Sequence, residues 1–159
     1  MKNLFYSALI ILFTIGNLNA NSFSIFGGSY DYDDDNTTTL TGINIHYSNE
    51  FNIFDILNVS PVIGGFVTAK SASMIYGGFD TKLGSEKIYL NPSFSTGLYN
   101  NGSGKDLGNT LQFKSEVNIF YSINDGSRVG LGSHHISNAG LSSVNPGVNN
   151  FYLIFNQDF

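Results

Sequence analysis

The segment from Leu111 to Tyr121 alternates between apolar and polar side chains and carries two opposite charges, Lys114 and Glu116, near its centre. One face has Leu111, Phe113, Val117, Ile119 and Tyr121, and the other has Gln112, Lys114, Glu116 and Asn118. A period of two indicates a β-strand with one apolar and one polar side. A soluble barrel or sandwich would also alternate, but with an apolar interior and a polar exterior. Charges in mid-strand opposite an aromatic-rich face instead favour the wall of a membrane barrel with a polar lumen.

Turn residues divide the rest of the chain into similar segments. We predict strands near residues 22–30, 38–48, 59–69, 73–82, 87–99, 109–123, 127–136 and 149–159. Short turns, at 48–58, 84–85 and 124–127, alternate with mostly longer polar loops, at 31–36, 100–108 and 137–148. The even strand number and this alternation predict an all-β fold, an eight-stranded antiparallel transmembrane β-barrel whose lumen is filled by side chains. The alternatives are a soluble barrel, a sandwich and a lipocalin-like binder.

The chain ends and the composition agree with an exported membrane protein. Residues 1–20 have the basic start, apolar centre and small final residue of a signal peptide, so we expect the barrel to occupy residues 21–159. No later segment is apolar enough for a membrane helix. The net charge of −5, with seven Lys and Arg, argues against a nucleic-acid partner, and the absence of Cys excludes disulfides and thiol chemistry. The terminal Phe159 resembles the C-terminal signature of bacterial outer-membrane barrels.

A His and a Ser two residues apart near the end of the seventh predicted strand suit ester hydrolysis. A Ser hydroxyl needs a neighbouring base to become a nucleophile, and His is the usual base. Because residues i and i+2 of a strand share a face, His135 and Ser137 are neighbours on the face of Val129 and Leu131, which suits lipid. Nine residue steps of about 3.3 Å at a tilt of about 40° raise Ser137 about 23 Å above Arg128, to the outer edge of an apolar band of about 25 Å.

The surrounding residues resemble the lipid A 3-O-deacylase family, often called PagL. The matching run is His135-x-Ser137-Asn138-Ala139-Gly140, followed by Asn145-x-Gly147 before the last strand. The resemblance implies an outer-membrane serine esterase, a carboxylic ester hydrolase that removes the ester-linked 3-hydroxyacyl chain at the 3-position of lipid A. It implies Ser137 as nucleophile, His135 as general base, and an oxyanion hole from Gly140 and Asn145. We add the adjacent Asn138 as a third oxyanion-binding residue. Lipid A or lipopolysaccharide is then the substrate, no metal or organic cofactor is needed, and a homodimer is left open.

The chain departs from the family at Asn149, where an acidic residue is expected to orient the His. An amide can accept a hydrogen bond from the ring but gives the imidazolium no counter-charge. This departure leaves open a second interpretation, a non-enzymatic barrel for adhesion or membrane integrity that has lost activity. We expect a second His-x-Ser, at His46 and Ser48, to be structural and to face the lumen. We expect the acidic run Asp31, Asp33, Asp34 and Asp35 to be a solvated loop rather than a calcium site.

Overall fold

The computed structural model describes residues 19–34, 37–53 and 56–159. The predicted signal peptide lies outside the described residues except for its last two positions. The strands are β1 (Ala20–Tyr30), β2 (Thr38–Tyr47), β3 (Phe51–Ile53), β4 (Leu57–Thr68), β5 (Ser73–Asp80), β6 (Leu83–Gly84), β7 (Ile88–Asn100), β8 (Leu111–Ser122), β9 (Ser127–Ser137) and β10 (Val148–Asp158). The described part of the chain contains no helix with the length and hydropathy of a membrane span.

The eight long strands form a closed antiparallel barrel. Each of β1, β2, β4, β5, β7, β8, β9 and β10 pairs with its neighbours in that order, and β10 returns to β1 through a register from Ser22 opposite Asp158 to Ser29 opposite Phe151. Closure gives each of these eight strands a hydrogen-bonded neighbour on both edges. The predicted fold class and the eight strands are confirmed, with ends within about two residues of those expected from the alternation.

Two predicted turns are more structured than expected. The segment 48–58 contains β3, which pairs back on β4, and Asn52 Nδ2 donates to Asn58 Oδ1 at 2.9 Å. The turn at 84–85 contains β6, paired with the start of β7. Both short strands extend hairpins beyond the barrel wall at the same end, where backbone groups of the turn satisfy each other. We call this end the turn rim, and the end that carries loops 31–37, 69–72, 101–110 and 138–147 the loop rim.

The side chains alternate across the wall as the sequence predicts for a membrane barrel. Lys114 and Glu116 lie inside and form an ion pair, and Glu116 also accepts from Asn118 Nδ2 at 3.0 Å. Large apolar side chains cover the outside, where Ile75, Phe94 and Leu153 are more than half exposed. An apolar exterior around a charged, hydrogen-bonded interior is the inverse of a soluble barrel. The soluble alternatives are therefore wrong.

The lumen is less uniformly polar than the outer-membrane pattern alone suggests. Aromatic rings fill it beside the charged pair, with Phe26 and Tyr152 only 4.9 Å apart between ring centroids. The Tyr152 hydroxyl donates to Glu116 Oε2 at 2.7 Å, and the Tyr76 hydroxyl donates to Asn44 Oδ1 at 2.6 Å. Tyrosine supplies the volume that a narrow barrel must fill and still gives the buried polar groups a partner.

Candidate active site

The end of β9 places the His and Ser of the motif on the outside of the barrel at the loop rim. His135 is exposed and Ser137 is half-buried, whereas the intervening Ile136 and the preceding His134 are buried in the lumen. Val129 and Leu131, two of the earlier residues on the same face, are 41% and 44% exposed. The predicted orientation is confirmed, so the pair faces the surface that contacts lipid.

The His135 ring is held by the residue opposite it on the last strand. His135 on β9 lies directly opposite Asn149 on β10, and the ring Nδ1 lies 2.7 Å from Asn149 Oδ1. The Asn149 amide nitrogen donates in turn to Asp33 Oδ2 at 2.7 Å. Position 149, where the sequence resemblance implies an acid, therefore contacts the ring through an amide, with a carboxylate beyond it.

Ser137 and His135 share a face, but no hydrogen bond joins their side chains in the described part of the chain. The backbone partner of Ser137 on β8 is Phe113, whose ring stacks on Phe94 with centroids 6.1 Å apart. Phe94 is 56% exposed, so the Ser hydroxyl lies beside an apolar aromatic surface. Catalytic hydrogen bonds often form only when substrate binds.

The loop after β9 is organised by Asn138, whose side chain is completely buried. Its amide nitrogen donates to the carbonyl oxygens of Leu107 and Val144, both at 2.7 Å, and its amide oxygen accepts from Gly140 N–H at 2.9 Å. These contacts give Asn138 a structural role. Donation to an oxyanion by Asn138 Nδ2, or by Gly140 N–H, would require them to break, so both assignments stay predictions.

Asn145 is the exposed amide of this loop. Its Oδ1 accepts the Asn138 backbone N–H at 2.9 Å. Since the oxygen is engaged by a donor, the amide orientation leaves Asn145 Nδ2 as the group available to a ligand. Of the three residues expected to bind an oxyanion, Asn145 has the geometry that best fits the role.

Gly147 leaves room for the His135 ring. A Cβ at this position would lie 2.8 Å from His135 Cε1 and 3.3 Å from Nε2, and the residue has a φ of 65°. Both the contact and the left-handed backbone favour glycine. The spacing Asn145-x-Gly147 thus combines an amide bonded to the Asn138 backbone with a close backbone approach to the His135 ring.

The second His-x-Ser of the sequence behaves differently. His46 faces the lumen at the turn rim, as expected, with Nδ1 2.7 Å from Asp80 Oδ2 and Nε2 2.9 Å from Ser24 Oγ. This is a Ser-His-Asp arrangement, but Ser24 is completely buried and its Oγ also accepts from Asn156 Nδ2 at 3.0 Å. A buried and fully bonded hydroxyl cannot meet an ester. Ser48 is not part of this group and donates to the Asn19 carbonyl oxygen at 3.2 Å.

The expectation of a solvated acidic loop is wrong for Asp31. This residue is 1% exposed, and Lys105 Nζ donates to Asp31 at 2.9 Å and to Asp34 at 3.0 Å. Burial lowers the pKa of Lys105, but the two carboxylates outweigh it and the pKa is raised. Asp35 lies outside the described residues. In residues 31–34 a partly buried cation neutralises the charge of Asp31 and Asp34, and this segment brings Asp33 to Asn149.

Comparison with known proteins places the chain. The sequence profile of the lipid A 3-O-deacylase (PagL) family matches residues 26–156. The chain belongs to the lipid A 3-O-deacylase (PagL) family. It is therefore an outer-membrane barrel of a family of lipid A deacylases, which are hydrolases. Curated protein sequences gave no match.

Solved structures agree on the fold. The crystal structure of the outer membrane enzyme PagL aligns with a TM-score of 0.66 at 16% identity, over 87% of this chain and 99% of that chain. Neisserial surface protein A aligns with a TM-score of 0.55 at 10% identity, over 90% and 99%. A de novo designed transmembrane β-barrel aligns with a TM-score of 0.54 at 8% identity, over 89% and 98%. At these identities the similarity supports the barrel architecture alone.

Proposed function

We propose that this protein hydrolyses the ester-linked 3-hydroxyacyl chain at the 3-position of lipid A, with Ser137 as nucleophile and His135 as general base. The observation that carries the proposal is the 2.7 Å contact between His135 Nδ1 and Asn149 Oδ1 on the outer surface of the barrel, two residues from Ser137. A ring held through Nδ1 can present Nε2 to a hydroxyl. The products are 3-O-deacylated lipid A and a free 3-hydroxy fatty acid.

The reaction follows the general course of acyl transfer by a Ser-His pair. His135 Nε2 takes the proton of the Ser137 hydroxyl as Oγ attacks the ester carbonyl carbon. The tetrahedral intermediate collapses with breakage of the bond to the sugar oxygen, which leaves with the proton from His135. Water, activated by the same ring, then hydrolyses the acyl-serine and restores the Ser137 hydroxyl.

Asn145 is the donor that we assign to the developing oxyanion. Its Nδ2 is the atom left available when Oδ1 accepts the Asn138 backbone N–H. A fixed donor of this kind lowers the barrier because it is oriented before charge develops on the carbonyl oxygen. Gly140 N–H can join it only if the bond to Asn138 Oδ1 opens during the reaction.

The position at the loop rim suits a substrate that stays in the membrane. The polar groups of the site lie where the apolar surface of β9 ends, and the stacked pair Phe94 and Phe113 continues that surface beside Ser137. Lipid A has its acyl esters where hydrocarbon meets sugar. A hydrolase at this height can reach the ester without extracting the lipid.

The proposal is tested by mass spectrometry of lipid A incubated with the purified protein in detergent micelles. We expect the loss of one 3-hydroxyacyl chain from the 3-position, and we expect Ser137→Ala and His135→Ala each to abolish it while the barrel still assembles. Losses of several powers of ten are usual because nucleophile and base act as a unit.

Two serines provide matched controls for the nucleophile. Ser133 lies on the same face of β9, two residues on the other side of His135, and its Oγ donates to the Asn150 carbonyl oxygen at 3.0 Å. Ser48 belongs to the second His-x-Ser at the turn rim. Ser133→Ala and Ser48→Ala should keep activity, and equal damage in either variant would reject Ser137. No deacylation by the assembled parent protein would favour the non-enzymatic alternative.

A further inference from the structure

The Asn149 side chain lies between two titratable groups, the His135 ring and the Asp33 carboxylate. Its Oδ1 is 2.7 Å from His135 Nδ1, and its Nδ2 donates to Asp33 Oδ2 at 2.7 Å. Asp33 belongs to the loop after β1, 116 positions before Asn149. The carboxylate that is missing at position 149 is thus present one hydrogen bond further away.

The chemistry of the three groups fixes how each is oriented. An ionised carboxylate can only accept hydrogen bonds, so the Asn149 group that faces Asp33 must be the NH2. The amide oxygen then faces the His135 ring and can only accept, so ring Nδ1 must carry the proton. The remaining nitrogen, Nε2, is left with a lone pair, which is what a general base for Ser137 requires.

We propose that Asp33 is a positioning residue of the active site, which acts through Asn149 to set the tautomer of His135 and to supply the counter-charge that Asn149 lacks. This inference rests on the proposed function. In a directly bonded triad, one carboxylate orients the ring and balances its charge. Here the amide orients the ring, and the carboxylate orients the amide and carries the charge.

The Asp33 contact is supported by a folded loop rather than by one exposed side chain. The backbone N–H of Tyr32 donates to the Asn149 carbonyl oxygen at 3.0 Å, and that of Asp31 donates to Asn150 Oδ1 at 3.0 Å. Lys105 holds the two carboxylates that flank this segment, those of Asp31 and Asp34. The neighbours of Asp33 are therefore held on both sides, Asp31 and Tyr32 by β10 and Asp34 by Lys105.

Kinetics of single and double variants test the inference. We expect Asp33→Ala to lower kcat by about 10- to 100-fold with KM nearly unchanged, less than the loss of about 10⁴-fold that follows removal of a directly bonded triad carboxylate. Asp33→Asn should lose less, because its Oδ1 can still accept from Asn149 Nδ2. In an Asn149→Ala background, Asp33→Ala should have almost no further effect, since the connection to the ring is already broken.

Asp106→Asn is the matched control. It removes a carboxylate from another loop of the same rim, and the new amide oxygen can keep the 2.8 Å bond from the Gly108 N–H. This variant should retain parental kcat. An unchanged kcat in Asp33→Ala would overturn the inference, as would an equal loss from Asp33→Ala with and without Asn149, which would place its effect elsewhere.

A spectroscopic measurement decides the same question without activity. Nitrogen-15 chemical shifts of the histidine ring, measured on the labelled protein in detergent micelles and assigned with His135→Gln, distinguish the two neutral tautomers. We expect the Nδ1–H tautomer in the parent and a mixture in Asp33→Ala, with Asp106→Asn like the parent. A mixture or the Nε2–H tautomer in the parent would refute the role of Asp33. Lack of deacylation with the expected shifts would instead refute the proposed function alone.

Discussion

Exchanging the residue types at positions 33 and 149 should make the enzyme faster. In the double variant Asp33→Asn/Asn149→Asp, a carboxylate oxygen at position 149 replaces the amide oxygen that lies 2.7 Å from His135 Nδ1. The amide introduced at position 33 donates to the other oxygen of that carboxylate, in place of the parental bond of 2.7 Å. Both parental hydrogen bonds of Asn149, to His135 and to Asp33, therefore have a counterpart in the double variant. The change that remains is the position of the negative charge, which moves from beyond the amide to direct contact with the ring.

The size of the gain follows from these distances. In the parent the carboxylate is separated from His135 Nδ1 by two hydrogen bonds of 2.7 Å and an amide, about 7 Å in all. In a medium with the dielectric constant of water, attraction to the imidazolium is about 0.6 kcal/mol at about 7 Å and about 1.5 kcal/mol at 2.7 Å. Lipid and protein exclude part of the water and lower the effective dielectric constant, which enlarges the difference between the two attractions to about 1.4 kcal/mol. This difference corresponds to about tenfold in rate.

The single substitutions separate charge from geometry. Asn149→Asp or Asn149→Glu alone replaces the amide that donates to Asp33 with a second carboxylate. Two carboxylates in contact oppose each other's ionisation. We therefore expect the tenfold gain only when Asp33 is also changed to Asn. Asn149→Ala should lower the rate by loosening the ring.

The assay is the initial rate of fatty-acid release from lipid A in micelles, measured at saturating substrate so that kcat is compared. The comparison includes the parent, Asp33→Asn, Asn149→Asp, the double variant and the Asp106→Asn control. All five should be folded to the same extent, as judged by the different gel migration of unheated and heated samples of a barrel. An exchange variant no faster than Asn149→Asp alone would show that Asp33 and position 149 do not interact. A parent rate retained in all variants would show that position 149 does not act on His135.

Three further outcomes follow from single contacts. Asn145→Asp keeps the acceptor for the loop but loses the amide donor, so kcat should fall by about 10²- to 10³-fold, as measured by fatty-acid release, with thermal stability nearly unchanged. Gly147→Ala would place a methyl group 2.8 Å from the His135 ring, and we expect loss of activity in an assembled barrel with altered histidine nitrogen shifts. Because the pKa of Lys105 is raised, its ion pairs stabilise the folded protein fully below the ordinary lysine pKa of about 10.5. This stabilisation is lost as the pH rises through the higher pKa of the folded state. Proteolysis of the loop containing residues 31–34 should therefore stay constant from about pH 6 to 9 and rise in Lys105→Met.

The barrel could be predicted because each long strand faces lipid on one side and the lumen on the other. The pattern of Lys114 and Glu116 against Val117 and Ile119 is a local property, and a shift of one residue would expose the charges to lipid. The short strands β3 and β6 were missed for the opposite reason. They pair only within hairpins, where neither face is buried and no alternation is imposed.

The outward orientation of His135 and Ser137 was also predictable, because Val129 and Leu131 occupy one face of β9 and the charged Arg128 the other. The loop contacts were not. Burial of Asn138 and the approach of Gly147 to the ring depend on how the loop 138–147 folds over β8 and β10. The motif identifies the residue types in this loop. It does not show that the Asn138 amide nitrogen is bonded to loop carbonyls whereas that of Asn145 remains available.

Asp33 cannot be recognised from the acidic run itself, because nothing in residues 31–35 indicates a partner 116 positions away. The signal that could have found it is topological: closure of a barrel pairs the first strand with the last, so the loop after β1 must lie beside the start of β10. What topology cannot supply is the fold of that loop, which depends on a φ of 54° at Asp31 and on the cation of Lys105.

The same closure bears on whether Asn149 marks a lost activity. A barrel that had merely lost its acid would have an amide bonded to water or to its own strand, since an exposed polar side chain at the rim needs no specific partner. Here the amide is held on both sides, by a ring and by a carboxylate, and the loop that carries the carboxylate is itself anchored to the backbone of Asn149. Ordering two exposed side chains and a loop costs conformational entropy that the barrel alone does not require. The arrangement therefore supports the proposed triad, in which the loop after β1 supplies the acid.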